Sequence, residues 1–136
     1  MIYVGSDHAG FELKNALKKF LLEKGLEVED LGPEKLDKED DYPDFILPVA
    51  RKVAESGGKD KGIVLGGSGQ GEAIAANKVR GVRAALYYGG NMDIVKLSRE
   101  HNDSNVLSLG ARFIGEDDAK KAVELWLSAG FEGGRH

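Results

Sequence analysis

Strand-like and helix-like segments alternate without a break along this 136-residue chain, and few folds accommodate that order. Met1–Gly5 reads as a first strand. Phe11–Lys24 follows as an amphipathic helix, with Leu13, Ala16, Leu17, Phe20 and Leu21 at helical spacing. Gly25 stops it, and Glu27–Leu31 is a short second strand. A polar loop, Gly32–Pro43, ends in Asp41-Tyr42-Pro43. Asp44–Ser56 then reads as a helix closed by Gly57-Gly58. Pro48 inside it must fall in the first turn, where its missing N–H costs little, or mark a kink. Lys61–Leu65, Val82–Tyr88 and Val106–Gly110 are further strands, and Gly71–Val79, Met92–Glu100 and Glu116–Ser128 are helices. The last helix carries a stripe of Ala119, Ala122, Val123, Trp126 and Leu127. Short connections between such elements predict an α/β domain over 1–136, its parallel sheet covered on both faces.

Composition narrows the setting. With 41% hydrophobic and 31% charged residues, extended disorder is excluded. No apolar run is long enough to cross a bilayer, and Met1-Ile2-Tyr3-Val4-Gly5 starts a strand rather than a basic signal sequence. The chain has no cysteine, which removes disulfides, thiolate zinc sites and thiol catalysis. A cytoplasmic address is therefore expected, without a membrane partner. A net charge of −4 with no basic stripe argues against nucleic acid.

Ligands of parallel sheets gather at the carboxyl ends of the strands. After the first strand come Ser6, Asp7 and His8. After the third, Gly66-Gly67-Ser68-Gly69-Gln70-Gly71 opens into a helix-forming stretch that starts with Glu72. Glu100, His101, Asn102 and Asp103 are expected at the same end, with Arg112 beyond the fifth strand. Glycines let a backbone approach its ligand, and the free N–H groups of such a loop point at negative charge. A carboxylate beside them can take a proton from carbon while the amides hold the resulting oxyanion. The plainer alternative is a tight strand-to-helix turn with a favourable acid in the first helical turn. The residues at 86–88 and Trp126 fit core or interface, with core the safer expectation.

Other chemistries fit less well. A dinucleotide fingerprint wants two residues between its second and third glycines, after the first strand; here Gly69 and Gly71 are one apart, after the third. A nucleoside-triphosphate loop needs Gly-Lys-Ser/Thr, whereas Lys78 lies well inside the helix. His8, His101 and His136 are scattered, without a paired-histidine helix motif, so no metal is expected. A receiver-like module would use Asp7 and leave Arg112, His101 and the glycine loop without a role. Proton transfer between adjacent carbons of a phosphorylated sugar uses a carboxylate, an amide nest, a histidine and arginine forks together.

Several strings carry a resemblance: Gly5-Ser6-Asp7-His8-Ala9-Gly10, Asp41-Tyr42-Pro43-Asp44, Gly66-Gly67-Ser68-Gly69-Gln70-Gly71, Ile74-Ala75-Ala76-Asn77-Lys78, Ser98-Arg99-Glu100-His101-Asn102-Asp103 and Gly133-Gly134-Arg135-His136. In this order they resemble the type B ribose-5-phosphate isomerases, a family that includes galactose-6-phosphate isomerase subunits. The resemblance implies a Rossmann-like, three-layer α/β/α sandwich with a five-stranded parallel sheet ordered 2-1-3-5-4. It further implies a homodimer with shared active sites, a phosphorylated sugar as substrate, and no cofactor. Many members use a cysteine at the position of Gly66; this chain looks like the branch in which Glu72 transfers the proton instead. By the same resemblance Gly67, Ser68, Gly69 and Gly71 form the anion hole, and His101, with Asp7 nearby, opens the sugar ring. Asn102 and Tyr42 would bind sugar hydroxyls, and His8, Arg112 and Arg135 the phosphate. Family chains usually continue past the Gly-Gly-Arg-His string into a basic tail with a further phosphate-binding arginine, so the resemblance leaves phosphate affinity and substrate length preference open for this sequence.

Ribose 5-phosphate is the expected substrate. The alternatives are a galactose or allose 6-phosphate, a tetrose 4-phosphate, or a sugar-phosphate-binding protein without catalysis. The acidity of Glu72 is open at this level. A helix N-terminus lowers a carboxylate's pKa, and desolvation raises it.

Overall fold

The computed structural model describes residues 1–36 and 43–133. Tyr42, Arg135 and His136 lie outside them. The elements run β1 (Ile2–Ser6), α1 (Phe11–Glu23), β2 (Val28–Asp30), α2 (Pro43–Glu55), β3 (Lys61–Gly66), α3 (Gln70–Asn77), β4 (Ala84–Tyr87), α4 (Asp93–Glu100), β5 (Val106–Gly110) and α5 (Glu116–Ser128). All strand pairs are parallel and the order is β2-β1-β3-β5-β4. That is the expected sandwich.

Strand periodicity explains why both faces of the sheet are covered. Ile2, Val4, Ile63, Leu65, Leu107 and Leu109 point to one face, where α1, α4 and α5 bring Leu17, Leu21, Val95, Ala119, Val123 and Trp126. Val64 and Val106 point to the other, under α2 and α3 with Ile46, Val49, Val53 and Ala76. Trp126 is fully buried, as expected of a core residue, and Tyr87 nearly so, whereas Tyr88 is 45% exposed.

Two strand boundaries and the place of Pro48 differ from expectation. The second strand is only three residues long, as suits a sheet edge. Val82 lies in a turn, its N–H bonded to the Val79 carbonyl, so β4 begins two residues later than its apolar pattern suggests. Pro48 is the sixth residue of α2, past the first turn. Asp44, whose carbonyl the proline leaves without its helical donor, is exposed. The buried stripe of Ile46, Val49, Ala50 and Val53 holds the helix on the sheet despite the missing bond.

Lys14 departs furthest from its residue type. It sits on the buried face of α1 with 0% exposure. Its Nζ donates to Asp30 Oδ1 at 2.9 Å and to the Pro33 carbonyl at 2.5 Å, and lies 5.3 Å from the Phe11 ring centroid. Asp30 also accepts the Gly32 N–H at 2.8 Å and faces Lys18 at 3.5 Å. A buried ammonium is tolerable only when partnered in this way. The cluster ties α1 to the carboxyl end of β2 and to the segment that follows it. Lys14→Met should destabilise the chain by about 3 kcal/mol, because Asp30 and the Pro33 carbonyl lose their donor; urea denaturation checks this.

Candidate active site

Topology opens space at the carboxyl end of β3. β1 leads into α1 on one face of the sheet, and its neighbour β3 leads into α3 on the other. Chains that part to opposite faces at adjacent strand ends leave room between them. Hydrogen bonds fix the three loops there. Asp7 N–H donates to the Leu65 carbonyl (3.1 Å), Ala111 N–H to Gly66 (2.8 Å) and Arg112 N–H to Gly67 (3.0 Å).

The glycine loop is held open by its neighbours. Gly69, with φ of +78°, is the N-cap of α3 and takes a conformation that other residues enter at a cost. Its carbonyl accepts Ser108 Oγ from β5 at 2.6 Å and Ala73 N–H at 2.9 Å. Gly110 admits the loop closely, since a Cβ there would lie 2.5 Å from the Ser68 carbonyl oxygen. Ser68 Oγ accepts the Gln70 N–H at 3.2 Å. Among the described residues, the N–H groups of Gly67, Ser68 and Gly71 have no acceptor. Amides of this kind at a helix start favour negative charge.

Glu72 sits at the third position of α3, 4% exposed. Its carboxylate takes the space that a side chain on Gly66 would need. A Cβ built there would meet Glu72 Oε1 at 1.7 Å and Cδ at 2.1 Å. Backbone N–H groups of Gly69 and of Glu72 itself hydrogen-bond the carboxylate and stabilise its anion. That bond to Gly69 is the reach-back of a helix-capping glutamate. A merely capping carboxylate would be exposed and acidic. Here burial, with the Asp7 charge second, pushes the pKa above the ordinary glutamate value against those bonds. The question the sequence leaves open is thus answered: desolvation wins over the helix terminus.

The other expected residues divide into groups. Asp7, His8, Gly67, Ser68, Gly69, Gly71, Glu72 and Arg112 share this end of the sheet. Asp7 Oδ1 accepts the Gly10 N–H at 3.0 Å, closing the turn that carries His8 into α1. The Arg112 guanidinium lies over the loop, with Nη1 3.2 Å from where a Gly67 Cβ would be. It makes no ion pair with a described carboxylate.

His101 and Asn102 are not there. The expectation that they stand at the carboxyl ends of the strands is corrected, because α4 runs back across the sheet and they precede β5. The Asn105 carbonyl accepts the Gly62 N–H (2.9 Å), and Asn105 Oδ1 accepts the Arg83 N–H (2.8 Å), both at strand beginnings. Burial, then the Arg99 charge, lowers the pKa of Lys61, the first residue of β3. The length of β5 therefore separates His101 from the glycine loop, about 16 Å at strand rise. His101 is consequently not beside Asp7 of its own chain. Tyr42 and Arg135 fall outside the described residues.

Two supporting residues escaped the sequence reading. Ser108 is legible in retrospect as a lone hydroxyl in the apolar run Val106-Leu107-Ser108-Leu109. Gly110 is indistinguishable by sequence from any strand-end glycine. Among the described residues, no three His, Asp or Glu side chains are grouped to hold a metal ion.

Fold and site define a class: a doubly wound α/β enzyme domain with a buried carboxylate beside main-chain anion donors. The family described as Ribose/Galactose Isomerase matches residues 2–136. The probable ribose-5-phosphate isomerase B of Mycoplasma genitalium is 45% identical over 135 residues, 99% of this chain and 88% of that one. The Escherichia coli ribose-5-phosphate isomerase B is 44% identical with the same coverage. The crystal structure of the M. genitalium protein with bound ribulose-5-phosphate superposes with a TM-score of 0.95, at 45% identity over 99% of this chain and 88% of that one. The Clostridium thermocellum ribose-5-phosphate isomerase B gives 0.91 at 50% identity, with 99% and 88% covered. The chain belongs to the ribose/galactose isomerase family.

The Glu72 shift carries a stability consequence. An acid whose folded-state pKa is raised binds more protons when folded, so stability falls as pH rises through the window between its two values. Above that window the buried charge is a net cost. Glu72→Gln should therefore raise the thermal midpoint at about pH 8, and the gain should vanish below about pH 4, where both states carry a neutral acid. Calorimetry across that range reads the effect.

Proposed function

We propose that this chain interconverts ribose 5-phosphate and ribulose 5-phosphate through an enediolate, as a cytoplasmic enzyme. One observation carries the reading: a buried glutamate of raised pKa lies against the Gly66 backbone beside unpaired loop amides. A base must hold a proton transiently, and a raised pKa brings Glu72 nearer that condition at neutral pH. In the aldose, Glu72 takes the proton from carbon 2 while the carbonyl oxygen on carbon 1 becomes the oxyanion. The N–H groups of Gly67, Ser68 and Gly71 receive that charge. Return of the proton to carbon 1, with transfer of the carbon 2 hydroxyl proton, completes the ketose. Arg112 and His8, on the loops beside Gly67, grip the phosphate.

The reading also takes the protein to be a homodimer. Ring-opening His101 and hydroxyl-binding Asn102 stand at the opposite end of the sheet from Glu72, so they can serve a glycine loop only in another copy. A two-fold axis across the strands brings the lower end of one sheet to the upper end of the other. Apolar side chains suited to such a contact stand exposed around β4, the edge strand: Ile74 (60%), Ile94 (54%) and Phe113 (63%). Phe113 and Tyr88 stack edge to face, with centroids 5.9 Å apart. Sugar hydroxyls thus meet one protomer's Asn102, and the reacting carbons meet the other's Glu72.

Glu72→Gln should lower turnover of ribose 5-phosphate by about 10²–10⁴-fold with the fold retained. In deuterium oxide the unaltered protein should place solvent deuterium at carbon 2; near-normal turnover in the variant removes the mechanism. Gly66→Ala should cost about 10²-fold in kcat by pushing the carboxylate aside. Its thermal midpoint should change little, because the atoms in the way are the end of a flexible side chain. A kcat equal to that of the unaltered protein would show that the carboxylate's seat does not matter.

A further inference from the structure

The turn that carries His101 and Asn102 is held more tightly than the end of a helix requires. Asp103 N–H donates to the Arg99 carbonyl at 3.2 Å and Ser104 N–H to the Ser98 carbonyl at 3.0 Å, which closes residues 98–104 on themselves. Beneath it, Ser98 Oγ and Ser104 Oγ share a hydrogen bond of 2.9 Å, and Trp126 Nε1 donates to Ser104 Oγ at 2.9 Å. Asp103 is the described non-glycine residue with positive φ, at +49°. That conformation is uncommon outside glycine, asparagine and aspartate, and persists where surroundings enforce it.

Arg99 does the enforcing. It is 7% exposed, an unusual burial for a guanidinium, and its fork is used on three sides. Nη1 donates to Asp103 Oδ1 at 2.9 Å and to the Ser104 carbonyl, and Nε donates to the Ala129 carbonyl at 3.3 Å. The first two acceptors directly follow His101 and Asn102. The third lies just past α5, in a segment that is tied again to the same turn by Glu132 N–H on the Glu100 carbonyl (3.0 Å). One buried cation therefore locks the His101–Asn102 turn to segment 129–133. A lysine could supply the charge but not the planar fork that reaches three acceptors at once.

We propose that Arg99 is a positioning residue for the isomerase reaction, and that it acts on the active site of the neighbouring subunit rather than on that of its own chain. This rests on the shared-site reading above. Arg99 touches neither substrate nor Glu72; it sets where His101 and Asn102 point as they enter the other protomer's crevice. Displacement of such groups by about 1 Å costs on the order of 10²-fold in rate.

Mixed dimers test this. Two affinity tags isolate dimers of one Arg99→Lys chain and one Glu72→Gln chain. If Arg99 serves the neighbour, one site carries both changes and the other carries neither. The mixed dimer then recovers about half the unaltered activity, although each parent homodimer is impaired. If Arg99 only supports its own chain, each site carries one change, and the mixed dimer stays at about half the Arg99→Lys homodimer's activity. That result overturns the proposal, as does an Arg99→Lys homodimer with unaltered kcat and KM. A control dimer of His101→Ala with Glu72→Gln separates the two ideas. Recovery there, without recovery for Arg99, leaves the shared site standing and removes only the role of Arg99; no recovery in either removes the shared site, and this inference with it. Should Arg99→Lys fail to fold, Asp103→Asn takes its place. It keeps the left-handed tolerance at 103, weakens the Arg99 pair together with the exposed pair to Arg83 (3.3 Å), and must show the same complementation, which Arg83→Gln, touching only the second pair, must not.

Discussion

The chemistry assigned to this protein depends on a missing methyl group. With no side chain on Gly66, the end of β3 has a hollow, and the Glu72 carboxylate fills it. That position takes the carboxylate out of water while two backbone amides keep it hydrogen-bonded. The two influences oppose each other, and burial prevails, so the carboxyl's pKa is raised above the ordinary glutamate value. A raised pKa makes a carboxylate a stronger base than an exposed one. The surrounding loop is arranged around the same hollow. Ser108 fixes the Gly69 carbonyl, and Gly110 makes way for Ser68.

A second constraint comes from the direction of the chain. In a parallel sheet every helix returns to the end where the next strand begins. Residues at the end of α4 must therefore stand opposite the glycine loop. His101 and Asn102 follow α4, and Arg112 follows β5, so residues that read as neighbours along the sequence sit at opposite ends of the sheet. The distance is covered by a whole strand, not by a flexible loop. The proposed association of two copies would bring both ends together. Under that proposal the tight packing around Arg99 has a purpose beyond the stability of its own helix.

Much of the architecture was legible because it rests on periodicity. Apolar alternation located the five strands, and helical stripes such as Ala119, Ala122, Val123 and Trp126 identified the buried faces. Gly66–Gly71 and Glu72 were legible because glycine spacing and a first-turn acid are local signals. Lys14 and Arg99 were not, since their burial depends on acceptors at Asp30, Pro33, Asp103, Ser104 and Ala129 that only folding brings near. The start of β4 was not legible for a related reason. Val82 is apolar because it packs under α2 and α3, not because it belongs to the ladder.

Local order along the chain determined the α/β sandwich, its strand succession and the presence of an acid beside a nest of amides, because each of these follows from spacing within one or two elements. Resemblance to a family added the strand order and a role for each residue. Tertiary structure alone decided how basic that acid is and which of the expected residues share its end of the sheet. Desolvation is a property of the packed neighbourhood, and the end at which a helix finishes is a property of the crossover; neither is written in any short stretch of residues.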